Sequence, residues 1–372
     1  MVIYKRYNLF RLKRENCGGN IMFGFSVYLS APITARTKNR VARLAKSGFE
    51  GVFTSLNLPE DDPSVLLQRL TDLGSECRGL RLELTVDIST VALERLGISL
   101  DKVHELTDIG VTQLRIDDGI PMPSVAKLSQ QMGIALNAST ISKQDIELLK
   151  DSEANFDNLE AWHNYYPRKN TGLEENWFNQ RNAWLKENGF TVTAFAPGDS
   201  DLRGPVFATL PTLESGRYQH PLAAALNLLN NNVNKVYIGD ADLQVETAAQ
   251  FDSYFRFNTL LLHATTEIDL PEYLTAGDLV FHQRPDVARD AVRLREGRSL
   301  KEKTIKPANI KERVRGAITL DNKLARRYEG ELQLIKRNLP ADPTVNVLGY
   351  ISQNDLDLLE ACGANQAIQL VF

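Results

Sequence analysis

Cysteine is scarce in this 372-residue chain: Cys17, Cys77 and Cys362 are too few and too scattered for a disulfide framework or a zinc site. No His/Cys/Asp/Glu cluster has metal-ligand spacing, so no metal is expected. A basic excess is also missing. Lys+Arg number 43 against 47 Asp+Glu, a net charge of -4 that offers no field for nucleic acid. No apolar run approaches the roughly 18 residues needed to span a bilayer, so no membrane partner is expected. The first 21 residues, "MVIYKRYNLFRLKRENCGGNI", are basic but lack the apolar core of a secretion signal. They read as an extension outside the fold, with Met22 as the natural start and the cytoplasm as the default location. The chain also lacks a G-x-G-x-x-G turn, a P-loop and a G-x-S-x-G elbow, so no cofactor is expected. Oligomeric state is left open.

What is present is alternation. Strand-like runs recur at 23–30, 51–56, 80–89, 111–119, 133–139, 156–166, 190–198 and 234–242. Helical segments separate them: "TKNRVARLAKSG" ending at Gly48, one opening at Asp62 with Pro63 in first position, and others at 142–150, 176–188 and 221–231. Eight such units predict an α/β fold, a (β/α)8 TIM-type barrel over residues 22–263. A doubly wound sheet is the alternative, and its Gly-rich first turn is not there. After residue 264, "ATTEIDLPEYLTAGDL" reads as a linker. "RGAITLDN", "YEGELQLIKRNLP" and "TVNVLGYIS" then make residues 268–372 a small, mostly-β domain.

A barrel puts its functional groups at the C-terminal ends of its strands. Those ends carry Ser26, Tyr28, Ser55, Asp87, Asp117, Asp118, Asn137, Ser139, His163, Asn164 and Asp240. Strand alternation turns Thr85 and Asp87 inward on the third strand, and Arg115 and Asp117 inward on the fourth, with Asp118 pointing away. Asp240, in "IGDAD", reads as a cap or a buried acceptor. The stretch "AWHNYYPRKNTGL" (161–173) supplies rings for a sugar face and Arg168 and Lys169 for an anion. The long loop "DLRGPVFATLPTLESGRYQHP" (201–221) adds Arg203, Glu214 and Arg217. Strand one has no lysine, which argues against an alanine-racemase-like plan. Carboxylate acid/base chemistry on a sugar is the simplest class that remains.

In order along the chain, "FTSL", "LRIDDG", "LNAST", "HNYYPR", "TGL", "AFAPGD", "RGP", "LPTLE" and "IGD", then "DN" and "RRYEGEL", resemble the MupG-type 6-phospho-N-acetylmuramidases. That family was formerly carried as outer-surface-like proteins of unknown function. The resemblance implies a cytoplasmic glycoside hydrolase of peptidoglycan recycling, a barrel with a cyclophilin-like β domain, and a phosphorylated amino-sugar disaccharide as its partner. It also implies a site made of Asp117, Asn137, His163, Asn164, Arg168, Arg203 and Glu214. Ser55, Ser139, Tyr166 and Arg217 complete the expected substrate contacts. Asp117 is the first choice of catalytic carboxylate, Glu214 its partner and Asp87 the runner-up. A phosphosugar isomerase or aldolase, with Asp117 as base, and a non-catalytic carbohydrate-binding protein are the alternatives.

Overall fold

The computed structural model describes residues 21–57, 63–99, 102–275, 279–301 and 303–372. The expectations for residues 1–20, for Asp62 and for the side chain of Asp118 lie outside the described residues. Two compact units divide the described residues, one within 21–248 and one within 249–372.

In the first unit the strands are β1 (Met22–Ser26), β2 (Gly51–Ser55), β3 (Glu83–Ser89), β4 (Gln113–Asp118), β5 (Gly133–Asn137), β6 (Leu159–Trp162), β7 (Thr191–Ala196) and β8 (Lys235–Ile238). They close in sequence order into one parallel barrel, β8 pairing back onto β1. The intervening helices are α1 (Ala35–Lys46), α2 (Pro63–Leu80), α3 (Thr90–Leu96) and α4 (His104–Asp108). They continue with α5 (Met122–Ser129), α6 (Lys143–Asp151), α7 (Glu175–Glu187) and α8 (Pro221–Asn230). Local chemistry fixes their starts. Ser142 and Asp145 form a reciprocal capping box on α6, and Pro221 opens α8, where its missing N–H leaves no bond unmade.

The barrel interior is layered. At the N-terminal end Lys235 pairs with Glu160 at 2.8 Å and Glu83 at 3.2 Å, and the Trp162 indole donates to Glu160 at 2.7 Å. Above this lies an apolar plug of Met22, Phe53, Ala135, Trp162, Phe195 and Tyr237. Two glycines make room for it. A Cβ on Gly24 would sit 2.2 Å from the Tyr237 ring, and one on Gly51 2.2 Å from its hydroxyl, so neither position admits a side chain. The plug separates this lower polar layer from the polar groups at the C-terminal mouth.

The second unit is a seven-stranded mixed sheet in the order β10-β15-β9-β14-β12-β13-β11. Its strands are β9 (Thr259–Thr266), β10 (Val280–His282), β11 (Ala291–Leu294), β12 (Ala317–Asp321), β13 (Leu332–Ile335), β14 (Val345–Ile351) and β15 (Ala367–Val371). The sequence reading gave residues 259–263 to the barrel. They belong instead to β9, a strand in the interior of the second sheet. "TLLLHATT" is apolar enough to pair with strands on both sides, parallel to β15 and antiparallel to β14.

Candidate active site at the barrel mouth

Three groups of side chains occupy or flank the mouth. The first begins on β3 and β4, where Asp87 and Arg115 are directly opposed in the register. Asp87 Oδ1 accepts from Arg115 Nη1 at 2.5 Å, and Oδ2 accepts from Ser55 Oγ at 2.8 Å and Asn57 Nδ2 at 2.9 Å. Both partners of the ion pair are buried, Asp87 at 7% exposure and Arg115 at 4%. The other amino group of Arg115 donates to Asn164 Oδ1, on the segment after β6. Tyr166, two residues on, has its pKa raised by burial, a shift that neighbouring Ser139 and the Arg115 charge oppose.

Asp117 completes this group in an unusual backbone setting. Ile116 pairs with Ile88, but Ser89 pairs with Asp118, so Asp117 is the extra residue of a register shift on β4. Such bulges occur beside active sites because they re-aim one side chain out of the ladder. The Asp117 side chain is 43% exposed and touches Arg115 Nη1 at a long 3.3 Å. Asp87 is a carboxylate with its oxygens taken. Among the described residues only one oxygen of Asp117 has a partner, and the side chain is partly exposed.

The second group centres on Arg203. Its guanidinium lies 3.7 Å from the centroid of the Tyr28 ring and donates to the Tyr165 hydroxyl at 2.9 Å. Tyr165 packs edge-on against Phe53 and Phe195 of the plug, so this corner rests on a rigid floor. Asp240 is fully buried and accepts from the backbone N–H groups of Gly198, Arg203 and Leu210 at 2.9–3.2 Å. It is the buried acceptor that shapes the loop after β7. Among the described residues no carboxylate pairs with the Arg203 guanidinium. The two groups meet at consecutive residues, Asn164 held by Arg115 and Tyr165 held by Arg203.

The third group braces loops. Arg217, 2% exposed, directs all five of its N–H donors at protein acceptors: Glu214 twice, and the carbonyls of Ala208, Thr209 and Arg168. Glu214 in turn accepts from the amides of Asn170 and Gly172 at 2.9 and 2.8 Å, so its four in-plane lone-pair positions are filled. Hydrogen bonds from Arg217, and those two amides, hold its carboxyl at about 2. Glu214 is thus ionised at neutral pH and Arg217 is committed to protein acceptors through every donor. Both tie the 168–173 segment to the 208–217 segment. Gly172 belongs to this brace, because a Cβ there would lie 2.6 Å from the Glu214 nitrogen. Arg168 is exposed and enters through its carbonyl, which accepts from Thr171 and Arg217. Asn137 accepts from the backbone of Ser139 at 3.0 Å at the end of β5.

His163 stands apart from all three. Trp162 points into the barrel, so the next residue points into the helical shell. There His163 is fully buried, packs on the Phe178 ring of α7 and bonds through Nε2 to Asn182 Oδ1 at 2.7 Å. The Asn182 amide nitrogen donates to the Asn231 carbonyl, which assigns the hydrogen to His163 Nε2. It therefore packs as a neutral core residue against α7, away from the side chains that line the mouth. Burial lowers its pKa to about 4 against an ordinary 6.5. A histidine depressed in this way binds protons in the unfolded chain first. Stability is complete above pH 6.5 and is lost as pH falls toward 4, by about 3 kcal/mol from this residue. Chemical denaturation at pH 7, 5.5 and 4 should show a steeper fall for the wild type than for His163→Gln. Parallel curves would refute the assignment.

Alternation had already turned Arg115 inward, yet it was absent from the expected site. Asn57 gave no signal in the sequence. Among the described residues no group of three His, Cys, Asp or Glu could hold a metal ion, and no helix is long and apolar enough to cross a membrane.

Comparison with known proteins agrees with the order of motifs. A family model described as 6-phospho-N-acetylmuramidase, N-terminal, matches residues 23–253, and one described as 6-phospho-N-acetylmuramidase, C-terminal, matches residues 260–371. The chain is similar to a conserved protein of unknown function from a locus in Enterococcus faecalis. The two are 41% identical over 94% of this chain and 96% of that one, with a TM-score of 0.86. An uncharacterized B. cereus protein shares the fold at 23% identity, covering 95% of this chain and 100% of that one, with a TM-score of 0.74. No curated protein matches.

Proposed function

The chain belongs to the 6-phospho-N-acetylmuramidase family, and from that premise we propose that it hydrolyses a phosphorylated amino-sugar disaccharide. The bond cut joins 6-phospho-N-acetylmuramic acid to N-acetylglucosamine, a cytoplasmic step of peptidoglycan recycling. The observation that carries this reading is the polarity of the mouth. One end offers Asp117, lifted out of the β4 ladder with one oxygen free of partners among the described residues. The other offers Arg203, a cation without a carboxylate partner among the described residues, set on aromatic rings.

Each feature matches a demand of the substrate. Glycoside cleavage develops positive charge at the anomeric carbon, which a carboxylate on one face stabilises or captures. Asp117 takes that task. A sugar phosphate needs a cation, and of the two guanidiniums held in the mouth only Arg203 has its charge to give. Arg115 is already compensated by Asp87 and faces Asp117 as well. The phosphate therefore goes to Arg203, and the glycosidic bond to the β3–β4 side. Asn164 and Tyr166, between the two, are the groups we assign to the acetamido and ring hydroxyls.

The deciding experiment supplies the protein with the disaccharide in phosphorylated and unphosphorylated form and measures released N-acetylglucosamine. Release from the phosphorylated form, and little from the other, is the expected result. Binding of both without release would make the protein a carbohydrate-binding module instead.

A further inference from the structure

We infer that Arg115 is a positioning residue for Asp117, and that Asp87 serves as its anchor and transfers no proton. The inference rests on the hydrolase reading above and deepens it. The geometry forms a chain of dependence. Asp117 has left the ladder, so the strand no longer dictates where its carboxylate points. Its one polar side-chain contact among the described residues is the 3.3 Å approach of Arg115. Arg115 in turn is aimed by Asp87, with which it makes the short contact across the β3–β4 register.

A guanidinium is planar, so pinning one amino group fixes the directions of the other donors. With Nη1 shared between Asp87 and Asp117, Nη2 is turned onto Asn164. Asp87 itself is held from three sides, by Ser55, Asn57 and Arg115, and is nearly sealed from solvent. A group meant to hand a proton to a leaving oxygen must reach that oxygen. Asp87 reaches only its partners.

Neutralising the anchor leaves a buried guanidinium without its counter-ion. It should then close onto Asp117 and occupy the oxygen that faces substrate. Misplacement by an ångström costs on the order of a hundredfold in rate. Asp87→Asn is therefore expected to lose about a hundredfold in kcat, with KM changed less than about threefold.

The test compares two substrates: the phosphorylated disaccharide and a 4-nitrophenyl glycoside of 6-phospho-N-acetylmuramic acid, whose leaving group needs no proton. A positioning role predicts equal losses on both. Rescue of Asp87→Asn on the nitrophenyl substrate would make Asp87 the proton donor and overturn the inference. Losses under about threefold on both substrates, for enzyme shown to be folded, would overturn it as well. Asp87→Asn/Arg115→Gln removes both charges and guards against misfolding of the single variant. It should lose no more than Asp87→Asn, because both changes act through Asp117. Multiplicative losses would show two independent roles and refute the chain of dependence. Failure of the wild type to cleave either substrate would instead defeat the hydrolase reading.

Discussion

Asp117→Asn should lower kcat for the phosphorylated disaccharide about a thousandfold, some 4 kcal/mol of transition-state stabilisation. The substitution keeps the shape of the side chain and removes its charge, so the loss reports the carboxylate itself. Folding should be unaffected. The group is partly exposed and its contact with Arg115 is long, so little native-state energy depends on it. Glu214→Gln is the informative contrast. It leaves the buried Arg217 guanidinium without its counter-ion, and because Glu214 itself is partly exposed the stability cost should be roughly 1.5–3 kcal/mol. Activity per folded molecule should survive that change better than it survives Asp117→Asn. Thermal melts and initial rates on the same preparations separate the two effects. If Asp117→Asn stays within tenfold of wild type, about 1.4 kcal/mol, the carboxylate at the anomeric carbon is another residue.

The barrel was legible because it is written twice in the sequence, once in strand–helix alternation and once in the period of two along each strand. That period placed Asp87, Arg115 and Asp117 inward, and all three are found together at the mouth. The same rule would have removed His163, since Trp162 is a large apolar residue that has to face the plug. The polar and aromatic composition around His163, rather than the periodicity, made it a candidate contact. The mutual contact of Glu214 and Arg217 is hidden for a different reason. Loops carry no period, so nothing in "LPTLESGR" reveals that the acid and the base face each other across one short turn. A bulge leaves no trace in composition either. The single-residue slip that frees Asp117 is a property of pairing with β3, and pairing is not visible in one strand alone. The start of the second sheet was displaced for a similar reason. Residues 259–263 follow the last barrel helix without a break, and only their pairing with β14 and β15 assigns them to the second sheet.

Arg203→Ala should discriminate between substrates where Asp117→Asn does not. A charge-assisted hydrogen bond contributes roughly 1.5–3 kcal/mol, so kcat/KM for the phosphorylated disaccharide should fall about tenfold to a hundredfold. The unphosphorylated analogue, already poor, should lose less than about threefold. Two features make Arg203 the discriminating residue. Its guanidinium is stacked on Tyr28 and anchored to Tyr165, so it is oriented before any ligand arrives. It also lacks a carboxylate partner among the described residues, so its charge is available to an anion. Arg168 serves as the control. Its side chain is exposed and its carbonyl, present in any residue, makes the contacts with Thr171 and Arg217. Arg168→Ala should therefore leave both substrates within about threefold. Arg203→Lys should recover part of the loss, since an ammonium restores the charge but not the planar stacking on Tyr28. Equal losses on the two substrates for Arg203→Ala would mean that the arginine supports the loop rather than the phosphate. Selective loss in Arg168→Ala would move the phosphate to the outer edge of the mouth.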